Sequence, residues 1–176
     1  MKFRKTWQEK QKGFTLIEAL VVMIVGIVIL ATAAAGIGKL FRSSEVSTEA
    51  ENIMQIATNV RNLRNGANSY KGLDTAAAIR FKAIPATMTQ DPNGRISNIW
   101  GGMVAVQSVE NDRRFIIVYL GVPSEACQQL TLKLRNADWS RVMAAGAQIE
   151  PDTSLSAIAA ACNSAGSVGI DFVSSS

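Results

Sequence analysis

The chain contains no histidine, which removes the residue used most often as a general base and as a metal ligand near neutral pH. No glycine-rich phosphate loop, nucleophile elbow or clustered-cysteine pattern stands in its place. The carboxylates of the downstream region are scattered and read as solvated or paired with arginines. No catalytic residue, metal site or cofactor is therefore expected, and an enzyme is the least favoured reading. Charge is missing from Ala19 to Gly38, a run that as a helix spans roughly 30 Å, the thickness of a bilayer's hydrocarbon core. Proline is absent from 14–84, so a helix entering that run has nothing to break it. The cysteines are only Cys127 and Cys162.

What charge there is sits unevenly. The formal net charge is +4, and residues 1–13 carry it all: Lys2, Arg4, Lys5, Lys10 and Lys12 against Glu9. Basic and acidic residues balance in the remainder, so no nucleic-acid patch is expected there. Lys and Arg ahead of an apolar span set its orientation, keeping the N-terminus cytoplasmic. Everything beyond Lys39 then lies across the membrane, where disulfides persist. A Cys127–Cys162 bridge there is worth about 4 kcal/mol by loop-closure entropy. Two unrelated buried thiols are the other reading.

Four regions follow one another: a leader over 1–13, a membrane half of a long helix over 14–40, an amphipathic half over 41–65, and a globular part over 66–176. In the amphipathic half Val46, Ala50, Ile53, Ala57 and Val60 recur at steps of four and three, one apolar stripe on a helix. Glu45, Glu49, Glu51, Asn52, Asn59 and Asn62 are placed on other faces, and the helix is expected to stop near Asn65-Gly66. Gly26, Gly36 and Gly38 read either as small-residue helix contacts or as points of local stretching. Downstream, short helices are expected over Asp74–Lys82, Pro123–Arg135 and Ser154–Ala161. Met103–Val109 and Phe115–Leu120 read as a hairpin turning at Glu110-Asn111-Asp112, and Val168, Ile170 and Phe172 mark a final strand. Trp100 and Trp139 read as core or interface anchors. The fold class is α+β: the long helix packed by its stripe on one face of an antiparallel sheet.

Glu18 is the anomaly. A carboxylate at the edge of a membrane run is costly and calls for a partner. A cation at Phe14 exists only if the chain is cut after Gly13. A secretory signal cut after Ala33-Ala34-Ala35 would instead release a soluble domain starting near Gly36. Against that stand Glu18 inside the signal core and the helical pattern running on through Ala35.

Gly13-Phe14-Thr15-Leu16-Ile17-Glu18 resembles the processing motif of the type IV prepilins: a glycine, a hydrophobic residue, then Thr-Leu-Ile-Glu entering an apolar helix. The length of the leader, Ser124-Glu125-Ala126-Cys127-Gln128-Gln129-Leu130 opening a helix, and Ala161-Cys162 before a short strand are similar to the type IVb group. That group includes the toxin-coregulated and conjugative thin-pilus pilins. Phe14 as first mature residue is the usual type IVa choice. The resemblance implies the type IV pilin fold, cleavage between Gly13 and Phe14 by a prepilin peptidase, N-methylation of Phe14, and a Cys127–Cys162 disulfide bounding region 127–162. It implies a single-pass inner-membrane precursor handled by the pilus assembly machinery, then an extracellular homopolymer serving adhesion, aggregation or conjugation. Glu18 is expected to pair with a neighbouring subunit's Phe14 amine and so set register. A minor pilin or a secretion-system pseudopilin shares the same N-terminal half.

Overall fold

A computed structural model describes residues 15–64, 69–163 and 166–175. The chain divides into two compact units, Met1–Phe41 and Arg42–Ser176. Helix α1 (Leu16–Leu63) contributes to both. In the first unit its segment Leu16–Ala33, of mean hydropathy 2.7, is long and apolar enough to cross a membrane. The large side chains there, among them Leu16, Ile17, Met23 and Leu30, are exposed. A helix apolar on every side is at home in lipid or among other helices, not in water.

The second unit holds one antiparallel sheet. Its strands are β1 (Thr89–Gln90), β2 (Ile96–Ser97), β3 (Met103–Val109), β4 (Arg114–Val122), β5 (Trp139–Ala144), β6 (Ala147–Ile149) and β7 (Val168–Ser174). The spatial order is β1-β2-β3-β4-β7-β5-β6. β7 is thus inserted between β4 and β5, pairing Ile117 with Phe172 and Val142 with Phe172. The β3–β4 hairpin turns through Glu110, Asn111 and Asp112, all at positive φ, a conformation that Asn and Asp tolerate better than most residues. Around this sheet lie α2 (Thr75–Arg80), α3 (Ser124–Leu134) and α4 (Leu155–Ala161). Asp74 and Ser154 cap α2 and α4 by accepting from the N–H of Ala77 and Ala157, each typically worth about 1 kcal/mol.

Period-2 alternation sends Phe115, Ile117 and Tyr119 of β4 and Ile170 and Phe172 of β7 to one face. There they join Val46, Ala50, Ile53, Ile56, Ala57 and Val60 of α1 in a single core. Tyr119, Phe172 and Trp139 meet edge-on or tilted, with centroids 6.5 and 5.3 Å apart. Trp100 and Trp139 are half-buried against this core.

Three expectations need correction. Glu49 and Asn52 do not occupy a solvent face; both are buried, because loops from 83–88 and 98–100 fold over that side of α1 and supply polar partners. The sheet is also wider than three strands: β5–β6 and the two-residue β1 and β2 extend its edges. The hairpin's second strand runs from Arg114 to Val122. Helix α1 ends at Leu63; the expected stop near Asn65-Gly66 lies outside the described residues. Close backbone approach at Gly102 is a further constraint: a Cβ there would stand 1.8 Å from the carbonyl oxygen of Leu120.

Candidate functional site

Gly13 and Phe14 lie outside the described residues. Immediately after them, Thr15 and Glu18 form a reciprocal pair at the start of α1. The Thr15 hydroxyl accepts from the Glu18 N–H at 3.3 Å. Glu18 Oε2 accepts from the Thr15 N–H at 3.2 Å and from its hydroxyl at 3.1 Å. This is the capping box, a Thr-x-x-Glu pattern that satisfies helix N-terminal donors reciprocally. The pattern is written in Thr15-Leu16-Ile17-Glu18, within the run that also carries the processing motif. Among the described residues Glu18 Oε1 accepts no hydrogen bond, so one oxygen holds the helix end and the other remains available to a second group. A negative charge in the first turn is also favoured by the helix dipole.

The C-terminal region is tied by a disulfide between Cys127 on α3 and Cys162 at the end of α4, with Cα atoms 5.7 Å apart. Both cysteines are fully buried. The Ser124 hydroxyl donates to the Cys162 carbonyl, which reinforces the same junction. α3 presents Ala126, Cys127, Leu130 and Leu134 to the core.

A third constellation was not foreseen as a unit. Glu49, 2 % exposed, accepts from the Ile99 N–H at 2.6 Å through Oε1. Through Oε2 it accepts from the Tyr119 hydroxyl at 3.0 Å and the Asn52 amide at 3.3 Å. The Thr87 hydroxyl in turn donates to Asn52 Oδ1 at 2.7 Å. Burial, then the Glu49 charge and its hydrogen bond, raise Tyr119 well above its ordinary 10.0. Three donors take the place of water around the carboxylate, and no cation is among its partners in the described residues. The nearby Trp100 indole N–H donates to Glu45 at 3.3 Å. These contacts tie α1 to β4 and to the 98–101 loop.

A single helix striped onto an antiparallel sheet, with an apolar N-terminal extension and a disulfide-bounded C-terminal region, is the architecture of a type IV pilin. Two solved structures share the fold. A type IVb pilin from Salmonella typhi is 22% identical with a TM-score of 0.56, covering 72% of this chain and 97% of that one. TcpA, a type IV pilin from Vibrio cholerae El Tor biotype, is 13% identical with a TM-score of 0.54, covering 75% and 99%. The family described as "PilS N terminal" matches residues 43–175, and the prokaryotic N-terminal methylation motif matches residues 9–37. The chain belongs to the PilS family of type IVb pilins. It is also 29% identical over 109 residues to the major structural subunit of the bundle-forming pilus of Escherichia coli O127:H6, covering 60% of this chain and 54% of that protein. The chain thus spans about half the length of the curated relatives it matches. The family is one of structural subunits, not of enzymes.

Proposed function

We propose that this chain is the main building subunit of a type IVb pilus, made as an inner-membrane precursor and polymerised through the Leu16–Ala33 segment into a surface fibre. The observation that carries the proposal is the methylation-motif match over residues 9–37, which falls on a helix with Glu18 in its first turn followed by a run without charge from Ala19 to Gly38. A prepilin peptidase cutting between Gly13 and Phe14 removes the whole basic excess and creates an ammonium at Phe14. Transfer of the precursor's apolar helix from lipid to a helical bundle then exchanges lipid contacts for packing and small-residue contacts.

Glu18 acts in that bundle as a register device. A carboxylate buried without a cation costs several kcal/mol, and a neighbour's Phe14 amine, methylated by the same processing, meets it at only one axial offset. The capping box sets the division of labour: Oε2 serves Thr15 while Oε1 receives the neighbour. The disulfide-bounded region 127–162 belongs to the exported domain 66–176, whose exposed loops contact whatever the fibre binds in adhesion, aggregation or conjugation. Recovery of the chain as the dominant protein of sheared surface fibres tests this. Trace recovery with retention in the membrane would point instead to a minor pilin or pseudopilin. In the same assay Glu18→Ala is expected to be processed and inserted yet absent from fibres, and wild-type fibre yield from that variant would refute the register role.

A further inference from the structure

The stripe of α1 covers one face of the sheet; the opposite face is half-buried, exposed most at its Met103–Leu120 corner. By strand register its central row is Ala105, Val118, Asp171 and Met143. On one side of that row Met103 is 47% and Leu120 39% exposed, and Leu120 packs against Gly169 at 3.1 Å from where a Cβ would stand. On the other side lie Ile116 and Arg141. Gln107 and Val173 complete that second row, and Arg114 alternates onto the same side, so the face is apolar around Val118, Leu120 and Met103, with Asp171 beside them and the Glu110-held arginines at its far end. Asp171 makes no hydrogen bond or ion pair among the described residues. Arg141 does not serve it, because Glu110 holds Arg141 at 3.3 Å and Arg114 at 2.8 Å. Partial burial raises the Asp171 pKa above its ordinary 3.8, so the apolar surroundings disfavour the charge that neutral pH imposes.

The same chain carries a feature of opposite chemistry elsewhere. α2 ends at Arg80, followed by Phe81, which is 63% exposed, and Lys82. Arg80 and Lys82 are exposed and make no ion pair or side-chain hydrogen bond among the described residues. The helix end is closed by Lys82 N–H to the Ile79 carbonyl and Ala83 N–H to the Ala78 carbonyl, a Schellman arrangement in which glycine usually fills the left-handed position. Here Lys82 fills it, at φ 55, a conformation that costs a residue with a Cβ on the order of 1 kcal/mol. The turn thus keeps a cation where glycine would be easier, beside an aromatic ring that nothing covers. α2 sits at the β3 end of the sheet, where Thr75 bonds to the Val106 backbone, so the tip is a different surface from that sheet face.

We propose that the outer sheet face around Asp171 receives the Arg80-Phe81-Lys82 tip of a second copy of this chain. Phe81 covers the apolar row of Leu120, Val118 and Met103, and the flanking cations reach Asp171. Because the two surfaces differ, the contact is head-to-tail and propagates rather than closing on itself. It rests on the reading that copies of this chain assemble, and it adds which surfaces of the exported domain meet. Charge complementarity of this kind fixes partner and register more than it adds affinity.

The test replaces Phe81 by photoreactive p-benzoyl-phenylalanine in the full-length chain, expressed in cells that make the fibre. Irradiation is expected to give a covalent dimer whose cross-linked peptide maps to β3, β4 or β7 of the second copy. Asp171→Lys should reduce dimer yield by about tenfold or more, since like charges then face each other. Arg80→Asp with Lys82→Asp should restore the yield in the Asp171→Lys background, a rescue that a purely structural role for Asp171 does not give. No dimer, a dimer mapped elsewhere, an adduct with another protein, or failure of the charge swap to rescue would each overturn the proposal. Fibres are scored on the same cells. Fibres without the mapped dimer defeat this contact and leave the pilus reading standing. An unmodified chain that makes no fibres defeats the pilus reading itself, and a mapped dimer in the membrane still supports the contact.

Discussion

Glu49→Ala takes away the acceptor shared by three donors, and its cost can be worked from their surroundings. A buried donor left unpaired costs about 1–3 kcal/mol. The Ile99 N–H borders a cavity of about 440 Å3, also lined by Thr48, Thr87, Ser97 and Asn98, so water can replace the carboxylate there and the lower figure applies. Asn52 keeps its bond from Thr87 and adds little. Tyr119 is fully buried and its hydroxyl would keep only the long contact to Met88 Sδ at 3.9 Å, so the middle of the range applies. The sum is about 3 kcal/mol, or roughly a 10 °C fall in Tm for a domain of this size. Glu49→Gln, which retains one acceptor oxygen, is expected to cost about 1 kcal/mol. Thermal melts of the full-length chain in detergent, followed by near-UV circular dichroism, read both values. Tyr119→Phe made alongside gives a double-mutant cycle, with coupling of about 1 kcal/mol or more. A Glu49→Ala chain within about 0.5 kcal/mol of the original, the range of an ordinary surface change, would show that the carboxylate does not clamp helix to sheet.

Three further outcomes are expected. Cys127→Ser should lower stability by about 4 kcal/mol by loop-closure entropy, measured by denaturant titration with and without reductant; insensitivity to reductant would mean the bridge contributes nothing. Gly102→Ala forces a Cβ against the Leu120 carbonyl, which is backbone and cannot rotate away, so a loss of about 3 kcal/mol or a failure to fold is expected; a wild-type melt would refute the close approach. Because the folded Tyr119 hydroxyl is raised above its ordinary 10.0, the unfolded chain ionises first. The stability its protonated form contributes is present in full below about pH 10 and is lost as pH rises through the folded value. Tyr119→Phe should flatten that alkaline loss, and an unchanged alkaline slope would contradict the assignment.

The parts of the fold legible in the sequence were those with a strong period. Val46, Ala50, Ile53, Ala57 and Val60 named the buried stripe because each is apolar at helical spacing. Met103–Val109 and the alternation through Phe172 named two of the central strands for the same reason. Glu49 and Asn52 share that face but carry polar side chains, and their burial depends on Tyr119, Ile99 and Thr87, which lie far away along the chain. Periodicity cannot see a partner at that separation. β5 was hidden because Ser140 and Arg141 break its apolar character, and β1 and β2 are too short to show a period at all. At the N-terminus the motif itself was legible, while the Thr15–Glu18 capping box was written in the same six residues and went unread. That box occupies one oxygen of the Glu18 carboxylate within its own helix end.

The central claim is that Glu18 acquires its partner when the leader is removed, and the mature N-terminus tests it most directly. Intact mass and terminal sequencing of the chain from sheared fibres should show a polypeptide that begins at Phe14 and carries one added methyl group on its amine. A chain beginning at Met1, or one beginning near Gly36 after cleavage behind Ala35, would contradict it, since neither leaves a cation one helical turn from Glu18.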